Sequence, residues 1–124
     1  VSATDILLIE DEPNIAEAVR FILTRDGWRL DHWSEGSQAL ARIAALQPRL
    51  VILDVMLPAQ SGLEVLAALR ADPMLAATPV LMLTARGTAG RGAMAPGGAD
   101  RVVAKPFDND DLRRVVSEML GRSG

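Results

Sequence analysis

The chain has 124 residues, 49% of them apolar, with a net charge of −3 and no cysteine. That length and composition fit one folded domain with a real core and do not fit a disordered chain. The weak charge argues against a general nucleic-acid or anionic-membrane surface, and the lack of cysteine excludes a disulfide framework and a thiolate zinc site.

Ile6-Leu7-Leu8-Ile9 reads as a short strand that empties into Glu10-Asp11-Glu12. Pro13 suits a first helical turn, and the acidic residues before it favour the positive end of a helix. Ile15, Ala18, Val19, Ile22 and Leu23 recur at helical spacing as one apolar face, and Gly27 ends the helix. Trp28 to Trp33 predicts a second strand, in which Trp28, Leu30 and His32 alternate with Arg29, Asp31 and Trp33. Such alternation fits a strand near a sheet edge. Ser34 is the expected cap of a helix carrying Ala39, Leu40, Ile43, Ala44 and Leu46, which Pro48 stops.

Leu50-Val51-Ile52-Leu53 is a continuous apolar run that closes on Asp54 and is bounded by Pro48 and Pro58. A run of that kind is a strand buried on both faces. Gly62 to Ala71 predicts a third helix with Leu63, Leu66 and Leu69 inward, broken near Pro73. Pro79 to Leu83 is a fourth strand ending on Thr84. Gly87 to Gly98 holds five glycines and Pro96, so any fourth helical segment there is weak. Arg101 to Ala104 is a fifth strand ending at Lys105-Pro106, and Asp108 can cap a last helix with Leu112, Val115, Val116, Met119 and Leu120 on one face. Strands alternating with helices imply a doubly wound parallel sheet, an α/β fold with helices on both faces. No apolar run nears the length of a membrane span, the first residues do not resemble a signal peptide, and Val1 in place of an initiator Met fits a processed or excised chain.

In an open parallel sheet, ligands bind beyond the carboxyl ends of the strands. Taken alone, Asp54 reads equally as a site residue or as the start of a turn. Its companions at the same edge are Glu10 and Asp11 from the first strand, Thr84 from the fourth and Lys105 from the fifth. Clustered carboxylates repel one another unless a cation joins them, and a hard ion such as Mg²⁺ takes carboxylates, a carbonyl, water and phosphate oxygens. Glu10, Asp11 and Asp54 could supply the carboxylates and Met56 a main-chain carbonyl. Thr84 and Lys105 suit the oxygens of a phosphoryl group. No serine, cysteine or histidine is suitably placed, which leaves Asp54 as the natural nucleophile for an aspartyl phosphate.

With these residues in hand, the whole chain resembles the receiver domain of bacterial two-component response regulators. The matching stretches are Ile9-Glu10-Asp11-Glu12, Asp54-Val55-Met56-Leu57-Pro58 with Gly62, Leu83-Thr84-Ala85, Gly98-Ala99-Asp100 and Lys105-Pro106-Phe107. The resemblance covers residues 1–124 as one receiver domain and implies a flavodoxin-like sheet in the order 2-1-3-4-5. It implies Asp54 as phosphoacceptor from a sensor histidine kinase or phosphotransfer protein, and Glu10, Asp11, Asp54 and the Met56 carbonyl around Mg²⁺. Thr84 and Lys105 would contact the phosphoryl group, with a cis peptide at Lys105-Pro106. It further implies a cytoplasmic setting, an unidentified downstream effector, no direct nucleic-acid or membrane contact, and room for a phosphorylation-dependent homodimer. Such a domain catalyses only its own phosphorylation and dephosphorylation and is not a turnover enzyme.

Two departures bear on output. Val102 stands where the family often has an aromatic switch, and the Gly-rich stretch replaces a regular fourth helix. That stretch is expected either to be mobile until activation orders it or to form a rigid turn under Met94. Arg101 follows Asp100 where one branch has a second acid used in dimerisation, so that dimer mode is not carried over. Two other functions stand beside the main one. A phosphorylation-independent interaction module is favoured by Val102 and the glycines and disfavoured by the complete acidic, Thr84 and Lys105 set. A small Mg²⁺-dependent phosphatase would want a second acid two residues after the nucleophile, where Met56 stands. Trp28 and Trp33 are expected to be packing residues, His32 a half-exposed strand residue, and Arg113 and Arg114 a solvated helix face.

Overall fold

The computed structural model describes residues 4–57, 60–85, 99–105 and 107–121. Five strands are present: β1 (Ile6–Ile9), β2 (Leu30–Trp33), β3 (Leu50–Asp54), β4 (Val80–Ala85) and β5 (Arg101–Lys105). They alternate with α1 (Pro13–Arg25), α2 (Ala39–Leu46), α3 (Gly62–Ala71) and, after β5, α4 (Asn109–Leu120). All neighbouring strands pair parallel in the order β2-β1-β3-β4-β5, as expected. The Gly87–Gly98 stretch, with the weak fourth helical segment expected in it, and the Lys105-Pro106 peptide lie outside the described residues.

The continuous apolar runs are explained by burial on both faces. Ile6, Leu8, Leu50, Ile52, Leu81 and Leu83 point to one side, where they pack with Val19, Leu23, Leu112 and Val116 of α1 and α4. Leu7, Ile9, Val51, Leu53, Val80 and Met82 point to the other, against Ile43, Val65, Leu66 and Leu69 of α2 and α3. Successive strand residues alternate between these two cores, so a polar residue anywhere along β1 or β3 would cost burial on one side or the other. Trp28 joins the first core and the half-buried Trp33 the second, both as packing residues. Val102 also packs against the second core.

Local chemistry sets most helix ends. Glu12 caps α1 with Pro13 in its first turn, Ser61 and Glu64 form a reciprocal capping box on α3, and Asp108 accepts from the Asp110 and Asp111 amides at the start of α4. Four expectations need correction. Ser34 does not cap α2: the helix begins five residues later, because Gly36 is pressed against the main chain of Gln60, where a Cβ would stand 1.8 Å from the Gln60 oxygen. On α1 it is Ala16, not Ala18, that is buried, and on α3 Leu63 is exposed while Val65 turns inward. Arg113 is not merely solvated: its guanidinium forks onto both carboxylate oxygens of Asp26 at 3.0 Å, tying α4 to the end of α1.

Two features generate predictions. α2 is flanked by Gln38 and Gln47 in left-handed backbone, at φ of 61° and 46°. A side chain there costs about 1–2 kcal/mol, and glycine relieves it while loosening the unfolded chain. Gln47→Gly is therefore expected to stabilise the domain by about 0.5–1 kcal/mol, read as a higher urea midpoint at unchanged m.

Near the same end of the sheet, Asp5 is buried with its carboxylate accepting from the Arg29 amide at 2.8 Å and facing the Arg29 and Arg49 guanidiniums. Burial works to raise its pKa, but the Arg29 and Arg49 bonds prevail and hold it below the ordinary 3.8. A depressed carboxylate contributes stability that is complete above the unfolded value and fades as pH falls through the folded one. Asp5→Asn should cost about 1–2 kcal/mol at neutral pH, with the deficit shrinking below about pH 4 in urea melts run across the acid range.

Candidate functional site

The strand order reverses at β1: the chain steps outward to β2, then returns to the other side of β1 for β3, β4 and β5. The crevice beyond the carboxyl ends of β1 and β3 is the place where such a sheet accommodates a ligand. β1 delivers Glu10 and Asp11 there and β3 delivers Asp54. Among the described residues these three offer carboxylate oxygens that all lie within 4.8 Å of one another. Glu10 and Asp54 are buried at 0% and 2% exposure, whereas Asp11 is exposed.

Lys105 supplies the positive charge. In the sheet register Asp54 lies beside Leu83 and Leu83 beside Val103, so the aspartate and the end of β5 are two strand gaps, roughly 10 Å, apart. A long side chain is needed to close that gap. The Lys105 Nζ reaches 3.2 Å from Asp54 Oδ2 and 3.5 Å from Glu10 Oε1. The remaining carboxylate oxygens are held by local main chain: the Met56 amide donates to Asp54 Oδ1 and the Glu12 amide to Glu10 Oε2, both at 3.1 Å. The described contact of Met56 with the cluster is thus its N–H. Thr84 is buried at the end of β4, opposite Ala104.

One ammonium does not balance two buried carboxylates. Burial first, and then the neighbouring Asp54, push the Glu10 carboxyl up to about 7, against the opposing pull of the Glu12 amide and Lys105. The site therefore has an appetite for further positive charge. Oxygens around a Mg²⁺ ion at about 2.1 Å stand about 3.0 Å apart when adjacent and about 4.2 Å when opposite, so the carboxylates would draw closer together around the ion. The donors are all hard oxygens. On spacing, charge and donor type, the residues fit a small divalent cation.

Two supports of the site come from outside it. Gly62 starts α3 directly against β3, where a Cβ would lie 2.0 Å from the Asp54 carbonyl oxygen, and its amide bonds to the Val55 carbonyl at 2.9 Å. His32, on β2, places Nε2 2.7 Å from the main-chain oxygen of Glu10. Nothing in the one-dimensional pattern marked that histidine, since the contact joins strands 22 residues apart. Among the described residues no helix is long and apolar enough to cross a membrane.

Comparison with known proteins gives a consistent result. The family model for the response regulator receiver domain matches residues 6–117. The chain is 43% identical over 113 residues to the transcriptional regulatory protein TcrA of Mycobacterium tuberculosis, covering 90% of this chain and 44% of that protein. It is 38% identical over 121 residues to the phosphate regulon transcriptional regulatory protein PhoB of Rhizobium meliloti, covering 95% of this chain and 52% of that one. The chain thus spans about half the length of the curated relatives it matches. Among solved structures, the receiver domain of the sensor histidine kinase PA1611 from Pseudomonas aeruginosa superposes with a TM-score of 0.85 at 26% identity, over 97% of this chain and 99% of that one. That structure has a magnesium ion coordinated in the active site cleft. The chemotaxis response regulator CheY4 of Vibrio cholerae superposes at a TM-score of 0.83 and 26% identity, over 94% and 98% of the two chains.

The close seat of Gly62 yields a prediction. A methyl group cannot share space with the Asp54 main chain, so Gly62→Ala must displace either α3 or the end of β3. A loss of about 2–3 kcal/mol in urea unfolding is expected.

Proposed function

Because this chain belongs to the response regulator receiver domain family, we propose that Asp54 is the residue on which it accepts its phosphoryl group. The observation that carries this reading is a buried carboxylate at the carboxyl end of β3, 3.2 Å from the Lys105 ammonium and clustered with Glu10 and Asp11. The donor is a phosphohistidine on a sensor histidine kinase or phosphotransfer protein. Asp54 Oδ attacks phosphorus, the phosphorus–nitrogen bond breaks, and the electron pair leaves with the imidazole. Hydrolysis of the resulting acyl phosphate returns the carboxylate and releases inorganic phosphate. The domain acts once per phosphoryl group and is not a turnover enzyme.

Glu10, Asp11 and Asp54, with the main-chain carbonyl of Met56, would hold Mg²⁺. The ion would neutralise phosphoryl oxygens as charge develops on them. Lys105 does the same from the β5 side, and the Thr84 hydroxyl donates to a phosphoryl oxygen. Transfer replaces a carboxylate that accepts from Lys105 and the Met56 amide with a bulkier dianion, and the residues around it must adjust to it. We read that adjustment as the signal passed to a downstream effector, with the domain itself touching neither nucleic acid nor membrane and working in the cytoplasm. Phosphorylation-dependent pairing of two copies belongs to the same proposal.

Incubation with acetyl phosphate tests the reading. Intact mass should rise by one phosphoryl group in the presence of Mg²⁺, and not without the ion or in Asp54→Asn. A folded wild-type protein that gains no mass would overturn the assignment in favour of a phosphorylation-independent interaction module.

A further inference from the structure

We propose that His32 is a positioning residue for the cation-binding carboxylates, acting through the main chain of Glu10. The proposal rests on the Mg²⁺ reading above and adds to it a residue on a strand that lends no side chain to the acidic cluster. Glu10 O is a carbonyl and can only accept, so the ring nitrogen at 2.7 Å must carry the proton. His32 lies in register with Leu8, two residues before Glu10, and its side chain runs forward along the strand to the point where β1 ends.

What that bond holds is the peptide between the two acidic residues. The Glu10 amide donates to the Trp33 carbonyl at 3.0 Å, the last rung joining β1 to β2. Beyond it the chain turns toward Glu12 and the cap of α1. The imidazole fixes the carbonyl on the far side of the same residue, so Glu10 is pinned to β2 through both its amide and its oxygen. Glu10 points inward and is wholly buried, whereas Asp11 is exposed and takes its direction from the Glu10–Asp11 peptide. Freeing that carbonyl lets the peptide rotate, and rotation swings Asp11 away from Glu10 and Asp54. The β1–β2 ladder ends at the Ile9–Trp33 pair, one residue short of Glu10.

Calorimetric titration of the full chain with MgCl₂ tests this. His32→Leu fills the same space without a donor and should bind Mg²⁺ about tenfold more weakly, the usual scale for losing an outer-shell partner of a metal ligand. His32→Gln, which carries an N–H at similar reach, should recover most of that affinity. His32→Ala serves the same comparison if the leucine variant does not fold. Equal Mg²⁺ affinity in wild type and the donorless variants would overturn the positioning role, as would a glutamine variant as weak as leucine. A wild-type chain that binds no Mg²⁺ would overturn the metal reading itself, and acetyl phosphate labelling of Asp54 reports on that reading separately.

Discussion

Two buried carboxylates sharing one ammonium set the terms for this domain. Placing Glu10 and Asp54 out of water is unfavourable, and Lys105 offsets only part of it. The rest of the molecule serves to keep them there. Leu53 and Ile9, immediately before the acids, are fully buried on the α2–α3 side, while Leu8 and Ile52 are locked into the α1–α4 side. With both strands clamped from two faces, neither carboxylate can retreat to solvent. The crowding of carboxylates is therefore built into the folded chain, and a proton on Glu10 or a ligand that brings positive charge relieves it.

Much of this was legible in the order of residues, for reasons that differ by element. The strands declared themselves because burial on both faces demands unbroken apolar runs, and the cluster of Glu10, Asp11, Asp54 and Lys105 because each run stops abruptly at a polar or charged group. α3 was readable to its ends, Gly62 and Ala71, and the Ser61–Glu64 pair that caps its start is local chemistry needing no distant partner. α2 was not. Ser34 has the chemistry of a cap, but the close approach of Gly36 to Gln60 commits that segment to another task, and Gln38 accepts a left-handed conformation in its place. A contact 24 residues away in sequence overrode a local preference.

The site was legible in composition but not in depth. Glu10 and Asp11 look equivalent as neighbours in a motif, yet one is sealed in the crevice and the other faces solvent. Which is which depends on the phase of β1 relative to its two partners, a tertiary fact. The same holds for Arg113, whose attachment to Asp26 spans 87 residues, and for His32. Long-range polar contacts to the main chain leave no periodic trace.

One further contact bears on geometry at the level of the whole domain. Arg49, just before β3, donates to the Leu120 carbonyl at 3.1 Å and so anchors the end of α4 at the amino-terminal rim of the sheet. The acidic cluster occupies the other rim, a strand length of about 17 Å away. The acidic cluster and the tail of α4 thus sit at opposite poles, and anything tethered behind Gly121 sets out from the rim farthest from that cluster.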